Sequence, residues 1–288
     1  MQVGKTPLRA IPSLRKLYGL PKLYIKDESA NPTGTWKDRR SELIVKSAKA
    51  KGCHHLALIS MGNSAYSLAH AVRYDGEIAK QTRIQVSAIL PLNISPNIVR
   101  EIERLGARTI RTDLSQPLSA HQVVHLTRRD SKDLPMIVTN HYHAAYSTLL
   151  DEIIEDLGPE NPPDTVICPI GSGEAFNGLY EADIARQRAL YADPIHIYGV
   201  NPYSRTSLAD KLVGFEFSPY AQLWSILPGF KKRIIRINED PIAPTHKIVT
   251  KHMLAEPSAS IAFCGLSILK PNPDKTVVII NSGLGVGA

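Results

Sequence analysis

Short β-forming apolar runs alternate with amphipathic stretches of about ten to fifteen residues along most of this 288-residue chain, and that alternation limits the folds open to it. From residue 38 a helix over "DRRSELIVKSAKAKG" closes on Gly52. It is followed by strand "HLALIS", a helix over 64–74, strand "RIQVSAIL", helix "SPNIVREIERLG", strand "ARTIRT", a helix over 117–129 and strand "MIVT". A second series begins near residue 146 with helix "YSTLLDEIIEDLG" and strand "DTVICPI". A helix to about 190, strand "PIHIYGV", an irregular Pro- and aromatic-containing stretch, strand "KRIIRI", two helices and strand "KTVVII" complete it. A strand that rejoins its sheet through a helix runs parallel to its neighbour, with a right-handed crossover, and a parallel sheet needs helices on both faces. The expected fold class is α/β, with two doubly wound lobes built on parallel sheets. The smaller lobe is expected over 40–143 and the larger over 1–39 together with 144–288.

Composition narrows the function classes. With 43% hydrophobic and 21% charged residues the chain reads as globular. A net charge of +7 favours anionic small molecules. The basic residues are dispersed, and the nearest cluster, "TRRDSK" at 127–132, carries an Asp and reads as a solvated helix end, so no nucleic acid partner is expected. Cys53, Cys168 and Cys264 are far apart and odd in number, which argues against a disulfide framework and for a reducing, cytoplasmic setting. "CHH" at 53–55 reads as surface rather than as a metal site. No window reaches the roughly 18 apolar residues of a membrane span, so no membrane partner is expected.

Ligands of doubly wound sheets sit beyond the carboxyl ends of strands, where loops feed helix N-termini, and four loops stand out there. "NPTGTWK" brings Lys37 to a helix start, where the positive end of the dipole tends to lower an amine's pKa from about 10.4. "LISMGNSAYSLAH" runs from a strand into Gly62-Asn63-Ser64 at a helix N-terminus, suited to an anion, with an N-cap by Asn63 or Ser64 as the plainer reading. "VICPIGSGEAFNGLYEA" carries Gly171-Ser172-Gly173-Glu174-Ala175 between a strand and a helix. Glycines there let the backbone approach a phosphate, yet the loop matches neither a Walker motif nor the dinucleotide fingerprint. "VVIINSGLGVGA" sets Ser282 just past a buried strand.

Together these stretches resemble the fold-type II pyridoxal-phosphate enzymes, the group of tryptophan synthase β, O-acetylserine sulfhydrylase, serine/threonine dehydratase and threonine synthase. "VGKTPL" (3–8) is similar to the family's opening, and "KDESANPTGTWKDR" (26–39) to its lysine motif in the threonine synthase form. "SMGNSA" (60–65), "GSGEAFNG" (171–178), "EPSAS" (256–260) and "NSG" (281–283) follow in the family's order.

The resemblance implies pyridoxal 5'-phosphate as cofactor. It implies Lys37 as the lysine that holds the cofactor aldehyde and then serves as general base for the substrate Cα proton. It implies Asn63 at the ring oxygen, Gly171, Ser172, Gly173, Glu174 and Ala175 around the phosphate, Ser60, Met61 and Ser64 at the substrate carboxylate, and Ser282 at the pyridine nitrogen. A hydroxyl there is a weak electrophile, which favours elimination or replacement over transamination. The expected activity is threonine synthase-like β- or γ-elimination or replacement on an amino acid carrying a leaving group. Cysteine or cysteate synthase-like β-replacement, serine/threonine dehydration and a catalytically idle, regulatory homologue are the alternatives. A homodimer, a small amino-acid substrate and no metal are expected. The chain departs from the family pattern at Glu174, where many relatives have glycine, and at "TNHYHAAYSTLLDEI" (139–153), which lacks Asn-Pro-x-Arg and offers His141 and His143 instead.

Overall fold

The computed structural model describes residues 2–74, 84–128, 134–138, 141–214, 220, 223 and 233–287. The predicted element ends at Arg83, Arg129, Thr139 and Lys232, and most of "TRRDSK", lie outside these residues. The chain divides into two compact units, Met1–Trp36 with His143–Leu284 and Lys37–Tyr142 with Gly285–Ala288.

The N-terminal segment contributes elements that the alternation does not reveal. Strand β1 (Leu8–Arg9), helix α1 (Pro12–Tyr18) and strand β2 (Leu23–Asp27) precede the lysine loop. Pro12 begins α1, where a missing N–H costs nothing, and Gly19 ends it in the left-handed conformation.

The second unit follows in strict alternation: α2 (Lys37–Ala50), β3 (His55–Ile59), α3 (Asn63–Tyr74), β4 (Gln85–Pro91), α4 (Pro96–Arg104), β5 (Arg108–Thr112), α5 (Ala120–Thr127) and β6 (Met136–Ile137). Its strands lie in the order β5-β4-β3-β6, all parallel. Leu56, Leu58, Val86, Ala88 and Leu90 pack with α2 and α3 residues on one face, while Ala57, Ile89 and Val123 of α5 meet on the other. His55 corrects the surface reading of "CHH". It is buried, with Nε2 2.9 Å from Ser87 Oγ on the paired strand.

The first unit resumes with a 3-10 turn at His143–Tyr146, then α6 (Ser147–Leu157), β7 (Thr165–Pro169), α7 (Glu174–Leu190), β8 (His196–Pro202), β9 (Ile234–Ile237), α8 (Ile242–Val249), α9 (Pro257–Leu269) and β10 (Val277–Asn281). The sheet order is β1-β2-β10-β7-β8-β9, parallel except for β1 against β2. The period-two geometry of β10 divides its side chains between two cores. Val277 and Ile279 join residues of α1, α8 and α9, and Val278 and Ile280 join residues of α6 and α7. Each such burial is worth roughly 1.5–3 kcal/mol. This sheet, covered on both faces, is the doubly wound arrangement expected, with an antiparallel edge strand added.

Gly178 in α7 sets how closely that helix meets the turn before α6. A Cβ there would collide with the carbonyl oxygen of His143 and lie 2.9 Å from Tyr146 Cβ. Gly178→Ala is expected to lower the unfolding free energy by about 1–3 kcal/mol through overpacking, measured by urea denaturation.

Candidate active site

Five parallel neighbours in the first unit end their strands at the same edge, and the loops leaving that edge hold this unit's share of the candidate residues. β7 leads into Gly171-Ser172-Gly173, and Gly173 caps α7 at φ +91°, a conformation that glycine adopts without strain. The next residues, Glu174 and Ala175, are the first turn of this 17-residue helix, whose N–H groups have no acceptor within the helix and face the positive end of its dipole. Asn201, 1% exposed at the end of β8, braces the loop: its Nδ2 donates to the carbonyls of Ile170 (2.8 Å) and Leu212 (3.0 Å). Lys211 N donates in turn to Ser258 Oγ of "EPSAS" at 3.2 Å. Sequence reading missed Asn201. Its only signal is a polar residue closing the otherwise apolar run "IHIYGV".

β10 ends at Asn281, and its exit is tied down on both sides. Asn281 Nδ2 donates to Asp27 Oδ1 (2.9 Å) and to the Leu254 carbonyl (3.0 Å). The Ser282 carbonyl accepts from Trp36 N (3.0 Å) and Thr35 Oγ1 (3.2 Å), and Gly283 bridges to Thr35. Ser282 is only 3% exposed. Trp36 is wedged against Tyr146, ring centroids 5.6 Å apart at 63°. The lysine loop itself is clasped by the N-terminal motif. Gly4 N donates to Asn31 Oδ1 (2.9 Å), Thr6 Oγ1 to Glu28 Oε1 (2.5 Å), and Asn31 Nδ2 to Glu28 Oε2 (2.9 Å). "VGKTPL" and "KDESAN" thus act as one polar unit.

In the second unit Lys37 is half-buried and is the first residue of α2, one peptide bond after Trp36. Its neighbour Asp38 is buried and accepts from Ser67 Oγ at 2.6 Å, with Ser41 Oγ 2.7 Å from Ser67, so α2 is registered on α3 by a buried, charge-assisted hydrogen bond. At the start of α3 the Ser60 hydroxyl oxygen accepts from Gly62 N (3.0 Å) and Ala65 N (3.1 Å). Ser60, rather than Asn63 or Ser64, performs the capping, and its O–H remains a donor. Asn63 and Ser64 open the helix itself, and Met61 is half-buried in the loop before it. The candidates therefore fall into two sets: Lys37, Ser60, Met61, Asn63 and Ser64 in the second unit, and Gly171, Ser172, Gly173, Glu174, Ala175 and Ser282 in the first.

A model of the family "Pyridoxal-phosphate dependent enzyme" matches residues 1–283. The chain belongs to that family. It is 27% identical over 247 residues to cystathionine beta-synthase of Saccharomyces cerevisiae, a match covering 75% of this chain and 46% of the relative. It is 27% identical over 179 residues to threonine synthase of Methanocaldococcus jannaschii, covering 62% and 42%. The chain spans about half or less of the length of these curated relatives. Among solved structures it superposes on maize serine racemase with a TM-score of 0.76 at 20% identity, covering 98% of this chain and 89% of that one, a likeness of fold.

The family's cofactor is pyridoxal 5'-phosphate, and the donor set fits it. A left-handed glycine opens a long helix for a phosphate, a primary amine stands at a helix start for an aldehyde, and a buried hydroxyl follows β10 for a ring nitrogen. Cys168, on β7 before the Gly171–Gly173 loop, is excluded as a nucleophile, because burial pushes its thiol well above the ordinary range. Among the described residues no group of three or more potential metal ligands gathers, and no helix is long and apolar enough to cross a membrane. Asn201→Ala leaves two buried carbonyls unpaired, and a loss of about 2 kcal/mol in unfolding free energy is expected from chemical denaturation.

Proposed function

We propose that this pyridoxal-phosphate dependent enzyme catalyses β- or γ-elimination or replacement on an amino acid that bears a leaving group, in the manner of threonine synthase. The observation that carries the reading is Lys37 at the first position of α2, directly after a residue whose backbone N–H is bonded to Ser282. When bound, the cofactor supplies an electron sink for the bond to the substrate Cα. Lys37 Nζ would hold the cofactor at its aldehyde and would serve as the general base for the substrate Cα proton. Ser60, its oxygen already accepting two backbone N–H groups, turns its O–H toward the substrate carboxylate, with Met61 and Ser64 flanking it. Asn63 would hold the ring oxygen, and residues 171–175 would hold the phosphate.

Ser282 would offer the ring nitrogen a neutral hydroxyl in place of a carboxylate. Charge developing at Cα is then best discharged by expelling a leaving group, and this supports elimination and replacement ahead of transamination. The kinship with threonine synthase and cystathionine beta-synthase is consistent with that chemistry. Cysteine or cysteate synthase-like replacement and serine/threonine dehydration remain the alternative outcomes of a substrate screen. A cytoplasmic homodimer is the proposed working form.

Purified protein incubated with pyridoxal phosphate is expected to show a visible absorption band that Lys37→Ala abolishes. One of O-phosphohomoserine, O-acetylserine, O-phosphoserine, serine or threonine is expected to shift that band. A colourless wild type would sink the catalytic reading in favour of an idle, regulatory homologue.

A further inference from the structure

The turn that opens α9, "EPSAS" at 256–260, has no role in the proposed chemistry, yet it is bonded to both loops that the first unit brings to the candidate site. On one side Glu256 N donates to the Gly283 carbonyl at 2.9 Å, immediately after Ser282. The nearby Leu254 carbonyl accepts from Asn281 Nδ2, immediately before Ser282. On the other side Ser258 Oγ accepts from Lys211 N at 3.2 Å. The backbone at Lys211 and Leu212 packs against Gly171: a Cβ on that glycine would stand 3.2 Å from the Lys211 carbonyl oxygen and 3.5 Å from Leu212 Cα.

The turn is held firmly from behind. Residues 258–266 of α9 are all buried, and a Cβ on Gly265 would lie 2.5 Å from Val200 Cγ2, so the helix is seated tightly on β8, the strand that carries Asn201. Ser260 fastens the turn further: its Oγ donates to the Glu256 carbonyl at 3.2 Å and lies 3.0 Å from His246 Nδ1 of α8. A helix packed to interior density moves with its sheet rather than over it. Glu256 N and Ser258 Oγ, two residues apart on one turn, therefore keep a constant separation.

We propose that Ser258 is a positioning residue that sets the span between the loop at 171–173 and Ser282 to match the cofactor. A pyridine ring is rigid, so its nitrogen and the phosphate on its side arm keep a nearly constant separation. Two half-sites act together on such a ligand only when they are spaced to fit it. Ser258 holds the segment packed against Gly171, and Glu256 N holds the residue after Ser282, so one helix turn gauges the distance between the two. The inference rests on the reading of residues 171–175 as the phosphate loop and of Ser282 as the partner of the ring nitrogen.

The test compares wild type and Ser258→Ala as full chains freed of cofactor. Pyridoxamine 5'-phosphate, which carries both ends and has no aldehyde for Lys37, is titrated by calorimetry. Pyridoxamine, which lacks the phosphate, and inorganic phosphate, which lacks the ring, are measured as competitors against it. Ser258→Ala is expected to weaken pyridoxamine 5'-phosphate about tenfold, the scale of one buried hydrogen bond left unmade. The two single-ended probes are expected to change by less than about twofold, because a wrong span removes only the gain from joining the halves. Amide hydrogen exchange of the unliganded variant is expected to quicken at Lys211, Leu212 and residues 171–173 while the rest of α9 keeps its protection. Equal losses for all three probes, an unchanged affinity for pyridoxamine 5'-phosphate, or unchanged exchange at those amides overturns the inference. A wild type that binds pyridoxamine 5'-phosphate but lets either single-ended probe fail to compete overturns the two half-sites. A wild type that does not bind pyridoxamine 5'-phosphate overturns the phosphate-loop reading as well.

Discussion

The backbone bridge between Thr35 and Gly283 is the constraint on which the rest of the first unit's chemistry depends. Trp36 N donates to Ser282 O and Leu284 N to Gly34 O, so residues some 250 positions apart in sequence become strand neighbours. Gly283, at φ +149°, has no space for a side chain: a Cβ would lie 2.5 Å from the Gly34 carbonyl oxygen. A buried backbone donor left unpaired there would cost about as much as a lost hydrogen bond, so the bridge forms whole or not at all. It sets the backbone immediately before Lys37 and fixes Ser282 in a single operation.

Around the bridge lies a layer of buried polar side chains that satisfy one another. Asp27 receives Arg9, Ser29 and Asn281, while Glu28 receives Thr6 and Asn31. Lys26, fully buried, donates to the Thr6 carbonyl at 2.6 Å and pairs with Glu152 and Asp156 of α6. Such groups are costly to bury singly and stable when fully partnered, which makes their arrangement specific. The motif "KDESANPTG" is thus largely a scaffold for its last residues, and Lys37 stands where that scaffold ends.

Much of the architecture was legible in the chain. From β3 onward the strands and helices follow the alternation of apolar runs and amphipathic stretches, because covering a parallel sheet on both faces imposes that pattern. The N-terminal strands were not legible. β1 has two residues, and β2 reads "LYIKD" because its lysine and aspartate are buried by partners distant in sequence, so polar residues occupy positions where a core strand is expected to be apolar. His55 was misread as surface for the same reason, since its partner Ser87 belongs to another strand. At the candidate site, loops after strands marked Lys37, Ser60 and Gly173. Asn201 gave almost no sign, because it acts through contacts made by the fold.

Sequence by itself determined the fold class, the family and the residue types available for chemistry: one lysine at a helix start, a glycine loop before a long helix, a serine after the last strand. These are local properties, set by periodicity, turn chemistry and chain order. Only the tertiary structure decided that the serine's carbonyl would hold the backbone before the lysine, that Ser60 would cap α3, and that His143 would lie against Glu181 of α7. Those relations join residues that are far apart along the chain. They arise from close packing and from the cost of leaving buried polar groups unpaired, and neither can be read from residues taken in order.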